Sequence, residues 1–280
     1  MRVLVATDLS EAANHALCEG AALASSPQDA IAAVYVLPPL PFTKMWLPRP
    51  DDEIARITAR ASEAVQERVH DVIGDQAEVF IEDENDYSAI IRRAESWRAD
   101  VIAVGSHGAS GLAGSFGSVA DRVLCNAHCS VLVVRPRIAH GWVLAATDLS
   151  DPSLHAVVVA AAEARRRGAQ LEVVRAVGFL DAEATYLIGL GTPSATSPPG
   201  VYETLTRGLA ECVADLGVQA KCKVLDHKTA SAIVGECEAI GAELVLVAAQ
   251  GKTALGRMSL GGVANKVARA APCSVLVVRP

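Results

Sequence analysis

Two stretches of this chain carry residue types suited to binding anions. Residues 105–118 open with Gly105-Ser106-His107-Gly108, continue through Gly111 and Gly114, and end on Gly117-Ser118. Residues 248–262 read Ala248-Ala249-Gln250-Gly251, then Gly256, then Gly261-Gly262. Glycines permit positive φ and remove Cβ atoms, so backbone N–H groups can surround phosphate oxygens. Each stretch leads from an apolar, strand-like run into a helix-like one. A helix N-terminus adds unpaired N–H donors and a favourable dipole, and Ser118 adds a hydroxyl. Asp8 and Asp148 each close the first apolar run of their half of the chain. A carboxylate there can accept from a ribose or base, or hold a magnesium ion beside phosphates. Its alternative role is to cap the helix that follows.

Other chemistries are less well supplied. Gly251-Lys252-Thr253 ends like a P-loop, but the earlier glycine that motif needs falls on Leu246, and the segment follows a fourth strand rather than a first. No G-x-G-x-x-G follows the first strand. His15 and His155 align between the halves without an evident acid-base partner, which makes them helix-face residues rather than catalytic ones. Cys125, His128 and Cys129 lie close together, yet the second half has Arg269, Pro272 and Cys273 there, so a zinc site is not expected. The seven cysteines are odd in number and contain no C-x-x-C, as expected of thiols buried in a reducing compartment.

The positioning elements follow from a repeat. Residues 3–10 read VLVATDLS and 143–150 read VLAATDLS, while CSVLVVRP occurs at both 129–136 and 273–280. Two copies of one domain, 1–138 and 139–280, are therefore expected. Apolar runs at 3–6, 31–37, 79–81, 101–104 and 131–134, and at 143–146, 171–177, 224–225, 244–248 and 275–278, are mostly continuous. That pattern suits parallel strands buried on both faces. Helices are expected after Ser10 and Ser150 as N-caps, and over 52–73, 87–97, 119–125, 201–216, 230–240 and 263–270. Each copy thus reads as a doubly wound α/β domain, with five parallel strands and four helices. In such a sheet, ligands bind beyond the carboxyl ends of the strands where the strand order reverses. Long Pro- or Gly-rich connections at 38–51 and 178–200 read equally as lids or as plain loops. Met45-Trp46-Leu47 and Tyr186-Leu187-Ile188 within them are apolar residues suited to cover a site or meet a partner.

Composition sets the remaining bounds. The chain has 280 residues, 51% hydrophobic, and a net charge of −7, which disfavours a nucleic-acid or anionic-membrane surface. All of that net charge lies in residues 1–138, and the acidic run Glu82-Asp83-Glu84 with Asp86 reads as a solvated face. No apolar stretch approaches the roughly 20 residues that span a bilayer, and no signal peptide is evident at the start, so a cytoplasmic location is expected.

With Asp8, the Gly105–Gly108–Gly117–Ser118 pattern and the terminal CSVLVVRP, the chain resembles a tandem universal stress protein over nearly its whole length. The resemblance implies a loop G-x2-G-x9-G-[ST], which binds ATP in some members and is altered in others. It implies an adenine-nucleotide site (ATP, or AMP or ADP, with Mg through Asp8) built from Ala6, Asp8, Val36, Val104, Gly105, Gly108, Gly117, Ser118 and Val119. Val36 and Val104 would flank the adenine. The second-copy set is Asp148, Ala176, Ala248, Gly251, Lys252, Gly261, Gly262 and Val263. It also implies pairing through the last strands, so 131–134 and 275–278 are expected antiparallel as a pseudo-dimer within the chain, with a further homodimer as an additional option. Copy one departs from the pattern by a gap of eight residues between Gly108 and Gly117. Copy two keeps nine, but Ala248 sets a methyl where backbone is expected to approach phosphate, and Gly262 removes the hydroxyl. Lys252 and Arg257 could add positive charge in copy two, whereas copy one has no basic residue between Gly105 and Ser118. The leading expectation is a nucleotide-binding regulatory protein with at most slow ATP hydrolysis, and copy one as the better site. The alternative is a stress-response interaction protein with degenerate sites that binds no nucleotide.

Overall fold

Continuous runs of Val, Leu, Ile and Ala too short for helices form the strands. The computed structural model describes residues 1–37, 51–75, 77–82, 87–108, 116–136, 141–177, 201–226, 229–251 and 260–279. The chain divides into two compact units, Met1–Pro136 and Arg137–Pro280. The first comprises β1 (Arg2–Thr7), α1 (Glu11–Leu23), β2 (Ala30–Val36), α2 (Asp51–Ile73), β3 (Glu78–Glu82), α3 (Tyr87–Trp97), β4 (Val101–Gly105), α4 (Ser118–Asn126) and β5 (Ser130–Val134). The second comprises β6 (Trp142–Ala146), α5 (Asp151–Arg167), β7 (Gln170–Val177), α6 (Val201–Asp215), β8 (Lys221–Asp226), α7 (Thr229–Ile240), β9 (Leu244–Ala248), α8 (Gly262–Ala270) and β10 (Ser274–Val278).

Within the first unit the strand order is β3-β2-β1-β4-β5, and every pair is parallel. The second unit repeats it as β8-β7-β6-β9-β10, also parallel throughout. The chain winds outward from β1 to β3, then crosses back to the other side of β1. The reversal therefore lies between β1 and β4, and between β6 and β9. The register Val3↔Val101 and Val5↔Ala103 aligns the exits of β1 and β4, and Ala146↔Val247 does the same in the second unit. Asp8 and the loop after β4 therefore leave the sheet side by side.

The core is the sheet and the helix faces laid on it. Val3, Leu4, Val5, Ala32, Ile102, Leu132 and Val133 are fully buried, as are Val143, Leu144, Val173, Leu246 and Val275. Removing a Leu or Val side chain from water contributes about 1.5–3 kcal/mol. α1 presents Ala12, Ala13, Ala16, Leu17, Gly20 and Leu23 inward, a small-residue face that lets it sit close to β1. α5 ends at Gly168, whose φ of 64° makes the left-handed cap that stops the helix.

The outer strands run longer than their apolar runs. β3 spans Glu78–Glu82 and β8 spans Lys221–Asp226. They are the outermost strands of each unit's order, and their ends are polar: glutamates close β3 on both sides, and Lys221, Lys223 and Asp226 interrupt β8, so the apolar signal shrinks. The cysteine expectation needs a correction. None of the seven is in a disulfide, but only Cys129, Cys237 and Cys273 are buried, whereas Cys18 and Cys212 lie on exposed helix faces. Among the described residues no helix is long and apolar enough to cross a membrane.

Two helical glycines separate by their surroundings. A Cβ at Gly20 would stand 2.6 Å from Val5 Cγ2, whereas one at Gly208 in α6 would meet nothing within 4 Å. Gly208→Ala is expected to raise stability by roughly 0.5–1 kcal/mol through helix propensity. Gly20→Ala is expected to lower it by about 1–3 kcal/mol, because overpacking outweighs the same gain. Urea denaturation of the two variants checks the opposite signs.

Candidate functional site

The repeated Thr-Asp-Leu-Ser is a turn held by its own side chains. Thr7 Oγ1 accepts from Leu9 N–H at 3.2 Å, Asp8 Oδ1 from Ser10 N–H at 3.0 Å, and Ser10 Oγ from Ala13 N–H at 3.2 Å. In the second unit Thr147 Oγ1 accepts from Leu149 N–H at 2.9 Å, and Asp148 Oδ1 accepts from both Ser150 N–H at 3.0 Å and the Ser150 hydroxyl at 2.5 Å. Leu9 and Leu149 are thereby forced to φ of 63° and 62°. The left-handed region costs a side-chain-bearing residue roughly 1–2 kcal/mol. Such a conformation persists only where the surroundings over-determine it.

Ser10 caps α1 as expected, but Ser150 does not cap α5 with its side chain. The reason is local. Ser153 stands where the first unit has Ala13, and its Oγ lies 2.8 Å from Thr147 Oγ1 and donates to Ser150 O at 2.9 Å. The Ser150 hydroxyl turns instead to Asp148. The capping alternative for the aspartates holds only in this indirect sense, since each braces the turn one residue ahead of the cap.

The turn aims the second carboxylate oxygen at the glycine loop. A Cβ at Gly108 would stand 2.7 Å from Asp8 Oδ2, and one at Gly251 would likewise collide with Asp148 Oδ2. A side chain at either glycine would force the aspartate from the first strand's exit to shift. Gly117 closes the same corner. Its N–H donates to Ser106 O at 2.7 Å, and Gly261 N–H donates to Ala249 O at 2.7 Å. A Cβ at Gly117 would approach His107 Cα at 3.2 Å, and one at Gly261 would approach Ala249 O at the same distance.

The first glycine of the loop has another reason. A Cβ at Gly105 would lie 3.0 Å from the Ala12 carbonyl carbon and oxygen, so its absence admits the first turn of α1. The side-chain direction there runs to the helix and not into the loop. Ala248 is the equivalent residue of the second unit, at the end of β9. Gly262 stands in open space, since a Cβ there would meet nothing within 4 Å.

The helices that follow start uncapped. Gly117 (φ −67°, ψ 143°) and Gly261 (φ −65°, ψ 146°) hold the same N-cap geometry, and as glycines neither has a side chain to cap its own helix. First-turn N–H groups of this kind need an outside partner, either water or an anion. Ser118 and Gly262 are exposed, and so are Val119 (48%) and Val263 (40%). The recurrence of an exposed valine at the same point of both helices gives each site an apolar wall beside its donors.

The other expected residues fall along the same sheet edge. Val36 ends β2, and continuing the Thr7↔Tyr35 register sets it beside Asp8. Ala6 and Val104 become neighbours when the Val5↔Ala103 register is continued, and Val104 is buried. Ala176 lies near the end of β7, partly exposed. Lys252 and Arg257 lie outside the described residues, as do Gly111, Gly114, Gly256 and the apolar residues of the connections after β2 and β7.

Several site features go beyond the sequence reading. Ser106 Oγ lies 3.1 Å from His107 Nδ1. Arg135, just past β5, stands 5.9 Å over the ring of Phe116, the residue before Gly117. The loop's own segment lacks a basic residue, yet the fold brings one to its exit. Its signal was the RP that ends both copies of CSVLVVRP. The left-handed leucines carry no composition signal, and only the identity of the TDLS tetrapeptide in both halves marks them. Among the described residues no three His, Cys, Asp or Glu side chains gather to hold a metal, so Asp8 can offer a nucleotide-bound Mg one carboxylate and no more.

A doubly wound domain with an anion-suited loop at its reversal point, present twice, defines a class of small α/β binding modules. Comparison with known proteins gives the family to which the chain belongs. The universal stress protein family model matches residues 1–135 and again 142–279. The chain is 30% identical to universal stress protein Rv2005c of Mycobacterium tuberculosis, over 99% of this chain and 96% of that one. It is 33% identical to a Thermus aquaticus universal stress protein over 49% of this chain and 97% of that one. A solved universal stress protein from Archaeoglobus fulgidus has the same fold at a TM-score of 0.69 and 20% identity, covering 99% of this chain and 96% of its own. The chain belongs to the universal stress protein family.

The aspartate–glycine contact yields a test. Gly108→Ala and Asp8→Ala are each expected to destabilise the first unit. The double variant should cost less than the sum by about 0.5–3 kcal/mol, because removing the carboxylate makes room for the methyl. A denaturant-based double-mutant cycle checks this, and additive costs would sever the proposed contact.

Proposed function

We propose that the chain is a cytoplasmic regulatory protein that binds an adenine nucleotide, ATP in the first instance, in the glycine-loop site of its first unit. The observation that carries this reading is the uncapped start of α4 beside Asp8, with exposed Val119 alongside. Phosphate oxygens satisfy the first-turn N–H groups and meet the helix dipole. The Ser118 hydroxyl adds a donor, and Arg135 brings positive charge to the loop exit. Val36 and Val104 stand where a flat base needs apolar walls. AMP and ADP fit the same donors with fewer contacts. Asp8 would offer its carboxylate to a nucleotide-bound Mg, which would supply positive charge beside the phosphates. The chemistry in this reading is binding, with at most slow ATP hydrolysis.

The second unit keeps the backbone of the site and loses the hydroxyl at Gly262. That observation favours the interaction-protein reading for the second unit, with the first unit sensing nucleotide. A neutral hydroxyl donor is worth about 0.5–1.5 kcal/mol, so Gly262→Ser is expected to strengthen any binding there by roughly two- to tenfold.

Calorimetric titration of ATP into the full chain tests the assignment. Gly117→Asp and Gly261→Asp each bring a Cβ to 3.2 Å from neighbouring backbone, so each controls for the other's packing cost, while Asp as an N-cap sets a carboxylate to compete for the same donors. ATP binding should vanish in Gly117→Asp and persist in Gly261→Asp. Saturating ligand at one hundred times Kd should stabilise the parent by about 2.7 kcal/mol. Binding that survives Gly117→Asp and vanishes in Gly261→Asp would reverse the assignment. A parent chain that takes up no adenine nucleotide would leave the interaction-protein reading.

A further inference from the structure

The two glycine loops share one backbone frame and differ in the pair of side chains set on it. In the first unit Ser106 N–H donates to Val134 O at 2.8 Å, and Ser106 O accepts from Gly117 N–H at 2.7 Å. In the second unit Ala249 makes the same two bonds, to Val278 O at 2.8 Å and from Gly261 N–H at 2.7 Å. The residue that follows, His107 or Gln250, is thereby carried to the start of the helix. A Cβ at Gly117 would lie 3.2 Å from His107 Cα, and one at Gly261 would lie 4.0 Å from Gln250 Cα. At an N-cap that direction belongs to the side chain that accepts from the first-turn N–H groups. His107 therefore stands beside the place where such an acceptor, or an anion in its stead, has to sit.

The imidazole is held by one nitrogen and not by the other. Ser106 is buried, at 5% exposure, and its Oγ lies 3.1 Å from His107 Nδ1. His107 is half-buried, and among the described residues its Nε2 has no hydrogen-bond partner. A hydroxyl both donates and accepts. Ser106 can donate to Nδ1 of the neutral ring or accept from Nδ1–H of the charged one, so a change of charge strands neither group. Ala249 and Gln250 offer no counterpart to this pair.

The charged groups around the ring come from three elements. Asp8 arrives from the exit of β1, where its Oδ2 meets Gly108. Asp121 lies in the first turn of α4, and Arg135, past β5, stands over the Phe116 ring. The loop supplies no lysine or arginine between Gly105 and Ser118. A phosphate at the α4 start therefore has no cation from its own loop unless His107 carries one. Histidine is the side chain that changes charge between about pH 5 and 8.

We propose that His107 is a charge-switched ligand residue of the first unit's nucleotide site, with Ser106 as its positioning residue. The protonated ring donates from Nε2 to a phosphate oxygen, and the site binds adenine nucleotide more tightly in mild acid. This rests on the reading of that loop as a nucleotide site. Linkage sets the sign. A bound anion favours the charged imidazole over the neutral one, so binding takes up a proton and affinity rises as pH falls. Gln250 has no proton to exchange, so the second unit lacks the response.

Calorimetric titration of ATP into the full chain at about pH 6 and pH 8 tests this. A terminal phosphate also changes charge near that window, so the response is read against His107→Gln, which installs the second unit's residue. The ratio of Kd at the higher pH to Kd at the lower should be larger in the parent than in this variant by roughly three- to tenfold. His107→Arg, charged throughout, should lose the excess ratio while binding tightly at both pH values. Ser106→Ala should shrink the ratio, because the ring is no longer held. In NMR the His107 Cε1–H titration should move to higher pH when ATP saturates, a readout that needs no variant. ATP binding that vanishes in Gly117→Asp yet shows one pH ratio in the parent and in His107→Gln would overturn the proposal and leave the nucleotide reading standing. So would a His107 titration that saturating ATP leaves in place. A parent chain that binds no ATP at either pH would overturn both.

Discussion

The contact between a carboxylate at the exit of the first strand and a bare α-carbon at the exit of the fourth is the constraint on which each unit's site is built. Asp8 rests against Gly108 and Asp148 against Gly251. The parallel register brings the two exits level, but level exits leave the loops free to point anywhere. The aspartate chooses a direction because its other oxygen is tied to the backbone two residues on. That tie forces a leucine into the left-handed region. A local strain of about 1–2 kcal/mol is thus retained in both units by three short hydrogen bonds and one close approach.

The fold was legible where a single residue type decides the matter. Continuous apolar runs marked the inner strands, and Tyr87–Trp97 emerged with its ends as expected. Legibility failed where two distant residues decide together. Nothing local to Gly108 says that it must admit residue 8, and nothing local to Gly105 says that it must admit Ala12. Both glycines read alike as loop glycines, and only three dimensions separate the one facing a carboxylate from the one facing a helix. Ser150 failed for a similar reason, since Ser153 rearranges the hydroxyls around it. The outer strands were under-read because β8 alternates lysines with apolar residues, and its buried partner Glu172 interrupts the apolar run of β7.

The two halves also show what a repeat is free to change. Chain path, strand order, turn and helix start are the same in both. The side chains that fasten the third helix of each unit to its sheet are not. The first unit uses Arg93 paired with Glu82 at 2.6 Å and stacked on Phe80. The second uses Lys223 on Glu236. Each arrangement neutralises its charges locally, so the fold tolerates either.

The approach of β4 to α1 has a mechanical side. At Gly105 there is no room for a side chain between the strand's end and Ala12, whose carbonyl a Cβ would approach at 3.0 Å. Backbone against backbone is a stiff contact, and packed interiors transmit displacement instead of absorbing it. Whatever occupies the loop beyond Gly105 therefore works against a rigid rod. α1 is 13 residues long, about 20 Å at helical rise, and its first turn is where that push would arrive. Its far end, at Leu23, lies about 20 Å from that turn, so a displacement of the loop exit would reach the opposite end of the unit as a movement of the whole helix.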